Sequence, residues 1–188
     1  MRASRTVPAA LAALLTAVAL TGCAPDGPTE QAPPINDALT SYTDLYHDAV
    51  VALQKTPDGR DLKWAESMAD YPSIAEQDNG LCFLFVRNAN GTGTIDDAEG
   101  LLTSLGASLD PVLAEHGMEP MSEPQHSEHG DDVWVESVAP TGWTVELKGG
   151  GQSSSGQPDA QVELSIDGPV TSDTCNDTTL AQALTEAG

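Results

Sequence analysis

Apolar residues first recur at helical spacing at Ile35, Leu39, Tyr42, Tyr46, Ala49, Val50 and Leu53. Steps of three and four put these side chains on one face of a helix, with Asn36 as the expected cap and "TPDG", Thr56 to Gly59, as the stop. Trp64 and Met68 read as a short helix on the core, which Tyr71-Pro72 breaks. "LCFLFVRN", Leu81 to Asn88, is apolar almost throughout and predicts a strand buried on both faces. "NANGTG" then reads as a turn. Thr94-Ile95-Asp96-Asp97 has the form of a capping box, opening a helix whose face is Ala98, Leu101, Leu102, Leu105, Leu109, Val112 and Leu113. Pro111 predicts a kink or a break near Gly106, and His116-Gly117 a C-terminus.

Beyond residue 132 the period changes from helical to alternating. Val133–Val138, Trp143–Lys148 and Gln161–Ile166 each place apolar residues on one side and polar ones on the other. "APTG" joins the first two tightly, and the glycine- and serine-rich stretch 149–160 joins the second two as a long hairpin loop. Alternation of this kind belongs to antiparallel strands with one wet face. A short helix is expected over "DTTLAQALTEA" after Cys175. The order predicts an α+β fold for residues 35–188: a mainly antiparallel sheet of about four strands, with helices packed on one face.

The first 34 residues follow another logic. Arg2 and Arg5 precede an apolar run from Val7 to Leu20 that has the length of a signal-peptide core rather than of a membrane span. It ends in Leu20-Thr21-Gly22-Cys23, which resembles the bacterial lipobox. The resemblance implies cleavage of residues 1–22, a diacylglyceryl group on Cys23 and N-acylation of the same residue. An ordinary secretory signal with a coincidental cysteine is the alternative. Residues 23–34 carry four prolines and read as a tether, which at ~3.1 Å per residue reaches up to ~35 Å from a bilayer. The Ala-, Gly- and Asp-rich, lysine-poor usage is similar to small lipoproteins of high-GC Gram-positive bacteria. That likeness implies a place on the outer face of the cytoplasmic membrane. Ala24 is not the aspartate associated with inner-membrane retention in Gram-negative cells.

Charge narrows the partners. The chain has 29 acidic against 7 basic residues, a formal net charge of −22, and cleavage would remove Arg2 and Arg5 as well. Such a surface repels nucleic-acid phosphates and anionic headgroups, so membrane contact is expected through the lipid on Cys23 alone. Cations, basic protein patches and cationic ligands are favoured. The plainer alternative is that acidity keeps a surface protein soluble. With Cys23 lipidated, Cys82 and Cys175 remain, and outside the cytoplasm two thiols are expected to pair. Such a bridge closes a loop of roughly 90 residues and puts the first strand near the end of the last.

Candidate chemistry is sparse. Residues 115–132 hold His116, His126 and His129 among Glu115, Glu119, Glu123, Glu128, Asp131 and Asp132, with Met118 and Met121 nearby. Imidazoles and carboxylates suit Zn²⁺ or Ni²⁺, and thioethers add copper. H-x-x-H alone is a weak signal, and a solvated acidic loop explains the same residues. Gly91 and Gly93 before a helix evoke a phosphate cradle. Asp96 occupies the third glycine position, however, and Asp96, Asp97 and Glu99 would repel a phosphate. The chain has no G-x-S-x-G, no H-E-x-x-H and no papain-like cysteine context, so no catalytic residue and no cofactor are assigned. Trp64, Trp134 and Trp143 are read as packing residues, with Trp134 the best placed of them to line a groove. Two function classes follow. One is a non-catalytic binding or accessory module of the cell envelope. The other is a carrier of a small molecule or metal ion, using an apolar cavity or the histidine-rich stretch.

Overall fold

The alternating segments become the strands of a single sheet. The computed structural model describes residues 31–66, 72–77, 81–128, 132–150 and 160–187. Its elements run α1 (Ile35–Lys55), α2 (Pro57–Arg60), β1 (Lys63–Glu66), β2 (Ser73–Glu76), β3 (Cys82–Gly93), α3 (Ala98–Glu115), β4 (Gln125–His126), β5 (Asp132–Val138), β6 (Thr144–Gly150), β7 (Ala160–Val170) and α4 (Asp177–Ala187). Strands are ordered β1-β3-β7-β6-β5-β4, with β2 also on β3, and every pairing is antiparallel. The α+β class and the antiparallel sheet follow the expectation. The expected four strands become seven among the described residues.

The three additional strands are short and take their order from neighbours. β1 pairs with residues 89–92 and β2 with residues 82–85, so both lie along the outer edge of β3. Trp64 therefore sits in a strand, not in the expected helix. Its indole N–H donates to the Gly59 carbonyl at 2.8 Å, and its ring lies over Gly91. Met68 and Tyr71 of that expected helix lie outside the described residues. β3 itself is longer than expected and absorbs "NANGTG" as strand, because Asn88 to Gly93 pairs with β7 throughout and residues 89–92 pair with β1 as well. It is buried on one face only: Cys82, Leu84, Val86 and Ala89 point inward, while Phe83 and Phe85 are half-exposed. A bulge at Val86 shifts its register on β7.

Helix boundaries also moved. α1 starts at Ile35 with Pro34 as its N-cap, so Asn36 lies inside the first turn. Pro34 forms a parallel bridge to Thr171, and the Thr171 amide donates to the Pro33 carbonyl at 2.8 Å. The end of the expected tether is thereby docked on the domain. Thr56 stops α1 and caps α2, its hydroxyl accepting from the Gly59 amide at 2.9 Å. α3 is capped by Asp97, whose carboxylate accepts from the Gly100 amide at 3.0 Å, rather than from Thr94. It runs unbroken through Pro111. That residue forfeits one hydrogen bond, but Leu105, Leu109 and Leu113 are fully buried across the same turns and hold them. Gly117, at φ 73°, closes its C-terminus as expected.

All the helical packing falls on one side of the sheet. α1 lies on β3 and β7, α3 on β5 and β6, and α4 on α1 and β2. Between them sit Leu45, Leu53, Leu84, Leu102, Leu147, Leu164 and Ile166, each with at most 1% of its surface exposed. Trp143 belongs to this layer. Its ring stacks on Tyr42 at 3.6 Å between centroids, and its indole N–H donates to the Pro169 carbonyl at 2.9 Å. Gly168 is required beneath it, since a Cβ there would stand 2.5 Å from the indole ring. The tight β5–β6 turn has Gly142 at φ 87° and a 2.8 Å bond from the Ala139 amide to the Trp143 carbonyl. Cys82 and Cys175 stand as a disulfide pair with Cα atoms 5.1 Å apart, joining the start of β3 to the segment that follows β7.

Candidate functional site

Because side chains alternate along a strand, the inward residues of β5, β6 and β7 fix the identity of the outward ones. With Val133, Val135, Val145, Leu147, Val162, Leu164 and Ile166 buried under the helices, Trp134, Glu136, Glu146, Lys148, Glu163, Ser165 and Asp167 stand on the opposite face, each half-exposed. Trp134 was expected to pack. It lies instead on this open face, as alternation with Val133 and Val135 requires.

Pairing brings these residues into rows across the strands. One row is Gln125, Trp134, Lys148, Glu163 and Asn90; the next is Glu136, Glu146, Ser165 and Asn88. Glu136 and Glu146 are direct cross-strand partners. Asp167 sits between Thr144 and Phe85. Polar contacts hold part of this face in place. Gln125 donates from its side-chain amide to Glu136 at 2.9 Å, Asn88 to Glu163 at 2.5 Å, and the Lys148 ammonium lies 2.9 Å from Asp132 at the rim. Phe83 and Phe85, with ring centroids 5.2 Å apart, continue the face along β3.

The electrostatics follow from this crowding. Burial pushes the Asp167 carboxyl up to about 6, and the nearby Glu146 adds to the shift. Glu146 is also raised, first by burial and then by Glu136 and Glu163, with Lys148 acting against them. The hydrogen bond to Asp132 is the main cause that raises Lys148, reinforced by Asp132, Glu146 and Glu163 as charges. The face can thus attract cations, hold a flat apolar group beside Trp134, and change its charge near pH 6.

The histidine-rich stretch is arranged differently from the expectation. Met118 is buried, Met121 packs against Gly106, and the Ser137 hydroxyl donates to the Glu119 carbonyl at 2.6 Å. With the Ser122 amide donating to the Glu136 carbonyl at 2.8 Å, this stretch covers the outer edge of β5 as an ordered strap. Met118 is therefore a core residue, and Met121 is part-buried against the core. His116 lies 3.3 Å from Asp48 and His126 lies 3.5 Å from Glu99. Glu99 and His116 mark opposite ends of α3, ~25 Å apart at 1.5 Å per residue, so these two imidazoles are not brought together. His129 lies outside the described residues, as does Cys23. Among the described residues no group of three or more His, Cys, Asp or Glu side chains is placed to hold a metal ion.

At the glycine-containing end of β3, a recess of about 820 Å³ is lined by Asp61, Lys63, Thr92, Gly93, Thr94, Ile95 and Asp96. Asp97 already takes the Gly100 amide in the first turn of α3. Gly91 and Gly93 serve close packing, since a Cβ on either would meet Leu62 or Trp64 within about 3 Å.

The fold and this face define a class: a one-sided α+β sandwich whose antiparallel sheet is covered by helices on one side and presents charged and aromatic side chains on the other. No protein-family model and no curated protein matches the chain. Among solved structures it is similar to a DUF4853 family protein from Actinomyces odontolyticus, at 9% sequence identity and a TM-score of 0.45, over 78% of this chain and 73% of that one. No described helix is long and apolar enough to cross a membrane.

Proposed function

We propose that the chain is a lipoprotein anchored through Cys23 on the outer face of the cytoplasmic membrane, where its α+β domain is a non-catalytic binding module of the cell envelope. The observation that carries the binding role is the open face of β5, β6 and β7. Trp134, Glu136, Glu146, Glu163 and Asp167 are gathered there on rigid strands, and the helices pack on the other side. Rigid strands present a recognition surface at little entropic cost. The basic start, the apolar run and Leu20-Thr21-Gly22-Cys23 support the anchor.

The test is made in a Gram-positive host expressing the full chain. Mass spectrometry of the mature N-terminal peptide is expected to find Cys23 with a diacylglyceryl group, and Cys23→Ala is expected to abolish it. A photo-crosslinking residue is then placed at Trp134 or, as a control, at the exposed helix position Val51. A defined envelope protein captured from position 134 but not from 51 is the expected result. Equal capture from both positions, or from neither, overturns the binding-face reading.

A further inference from the structure

We propose that the open face of the sheet binds an extended, Lys- or Arg-bearing segment of a protein partner, laid across β5, β6 and β7. This deepens the binding-face reading and rests on it. The argument begins with the distribution of charge. Four carboxylates stand on the β5–β7 part of the face, while the lysine of these strands, Lys148, is drawn to Asp132 at the rim.

Their spacing separates a peptide from a single metal ion. Neighbouring strands are ~4.8 Å apart, so carboxylates from Glu136 on β5 to Asp167 on β7 spread over about 10 Å. One ion cannot be coordinated across such a span, and no metal-holding group is formed among the described residues. Cationic side chains at alternate positions of an extended segment are ~6.6–7 Å apart on one side, so two of them fit within the spread. Trp134 beside the acidic rows offers a ring face on which a guanidinium can stack.

The face is also arranged at a cost. Glu136 and Glu146 are direct cross-strand neighbours of the same charge, an arrangement that opposes strand pairing. A cation set between them relieves the repulsion. Replacing them by glutamine is therefore expected to leave the fold at least as stable while removing the attraction.

The experiment uses the full lipidated chain in non-ionic detergent and a ten-residue peptide of alternating Arg and Thr. A peptide of alternating Glu and Thr is the control. Binding is read by tryptophan fluorescence, and the footprint by hydrogen exchange. The expected result is saturable binding of the Arg peptide alone, weakened about tenfold between 50 and 200 mM salt, with protection confined to β5–β7. The double variant Glu136→Gln/Glu146→Gln is expected to bind at least about tenfold more weakly, with no loss of thermal stability. Undiminished binding by that variant, or a footprint at Asp61 and Asp96 in the recess at the end of β3, overturns the inference in favour of general acidity. Calcium ion that saturates the same face and excludes the peptide at low millimolar concentration overturns it in favour of a metal site. If the peptide does not bind while position 134 still captures one partner, the charge argument fails and the binding face stands. If both fail, the binding-face reading fails with it.

Discussion

The two faces of the same sheet are built from the same strands, yet they obey different rules. On the helix side, positions are fitted to one another. Leu102 lies against Gly149, Trp64 against Gly91 and Trp143 against Gly168, with the last glycine leaving no room for a Cβ. On the open side, one residue further along each strand, Glu136 faces Glu146 and Asp167 stands beside Phe85. The helix side holds the fold together by burial and close packing. The open side includes pairs that a sequence optimised for stability alone would avoid. The difference teaches where to look for function: in the positions whose removal the fold would tolerate or prefer.

The largest effect should come from breaking the fitted side. Trp143→Ala removes a fully buried indole, its stack on Tyr42 and its bond to Pro169, and is expected to cost about 3–5 kcal/mol. Trp134→Ala, on the half-exposed face, is expected to cost less than about 1 kcal/mol. Urea denaturation followed by circular dichroism checks both. Equal losses would erase the contrast between the faces.

Next in size is the covalent tie between Cys82 and Cys175. It closes a loop of 93 residues, and its removal is expected to cost about 2–4 kcal/mol in the double Cys82→Ala/Cys175→Ala variant. The start of β3 and α4 should loosen first, because Cys175 lies between β7 and α4. Hydrogen exchange with and without a reductant reads this directly. Unchanged protection in β3 and α4 would mean that the helix-side packing holds that corner by itself.

Both the fitted side and much of the open face were legible in the sequence, because alternation in 133–138, 143–148 and 161–166 specifies both faces at once. Long helices with continuous apolar stripes were legible for the same reason. What escaped were elements whose structure is imposed by a neighbour. β1 and β2 are four residues each and have no internal pattern strong enough to announce a strand; the outer edge of β3 orders them. "NANGTG" has the composition of a turn, but partners on both sides draw it into β3. The strap over β5 looked like a solvated histidine loop because its polar residues are many and its anchors, Met118 and Met121, are few. The rows of carboxylates depend on strand order, which alternation within a strand does not encode.

The smallest effect is the one that sharpens the contrast most. Asp167 has its carboxyl raised from the ordinary 3.8 to about 6 by burial and by Glu146. The folded state therefore holds this proton more tightly than the unfolded state. Its contribution is fully present below about pH 4 and is lost as the pH rises through 6. At neutral pH the ionised carboxylate works against the fold. Asp167→Asn is expected to raise stability at pH 7 by about 1 kcal/mol, after allowing for screening by solvent, with the gain shrinking to nothing near pH 4. Urea melts of both proteins at pH 4, 5, 6 and 7 provide the measurement. A gain that does not vary with pH would place its origin in packing rather than in charge. Introducing Glu146→Gln into both proteins should move the inflection to lower pH, since it removes the neighbouring charge but not the burial. On the helix side the cost of Trp143→Ala should show no such dependence, since its contacts are a ring stack and a bond to a backbone carbonyl. A pH-sensitive cost confined to the open face is what a bound cation would offset.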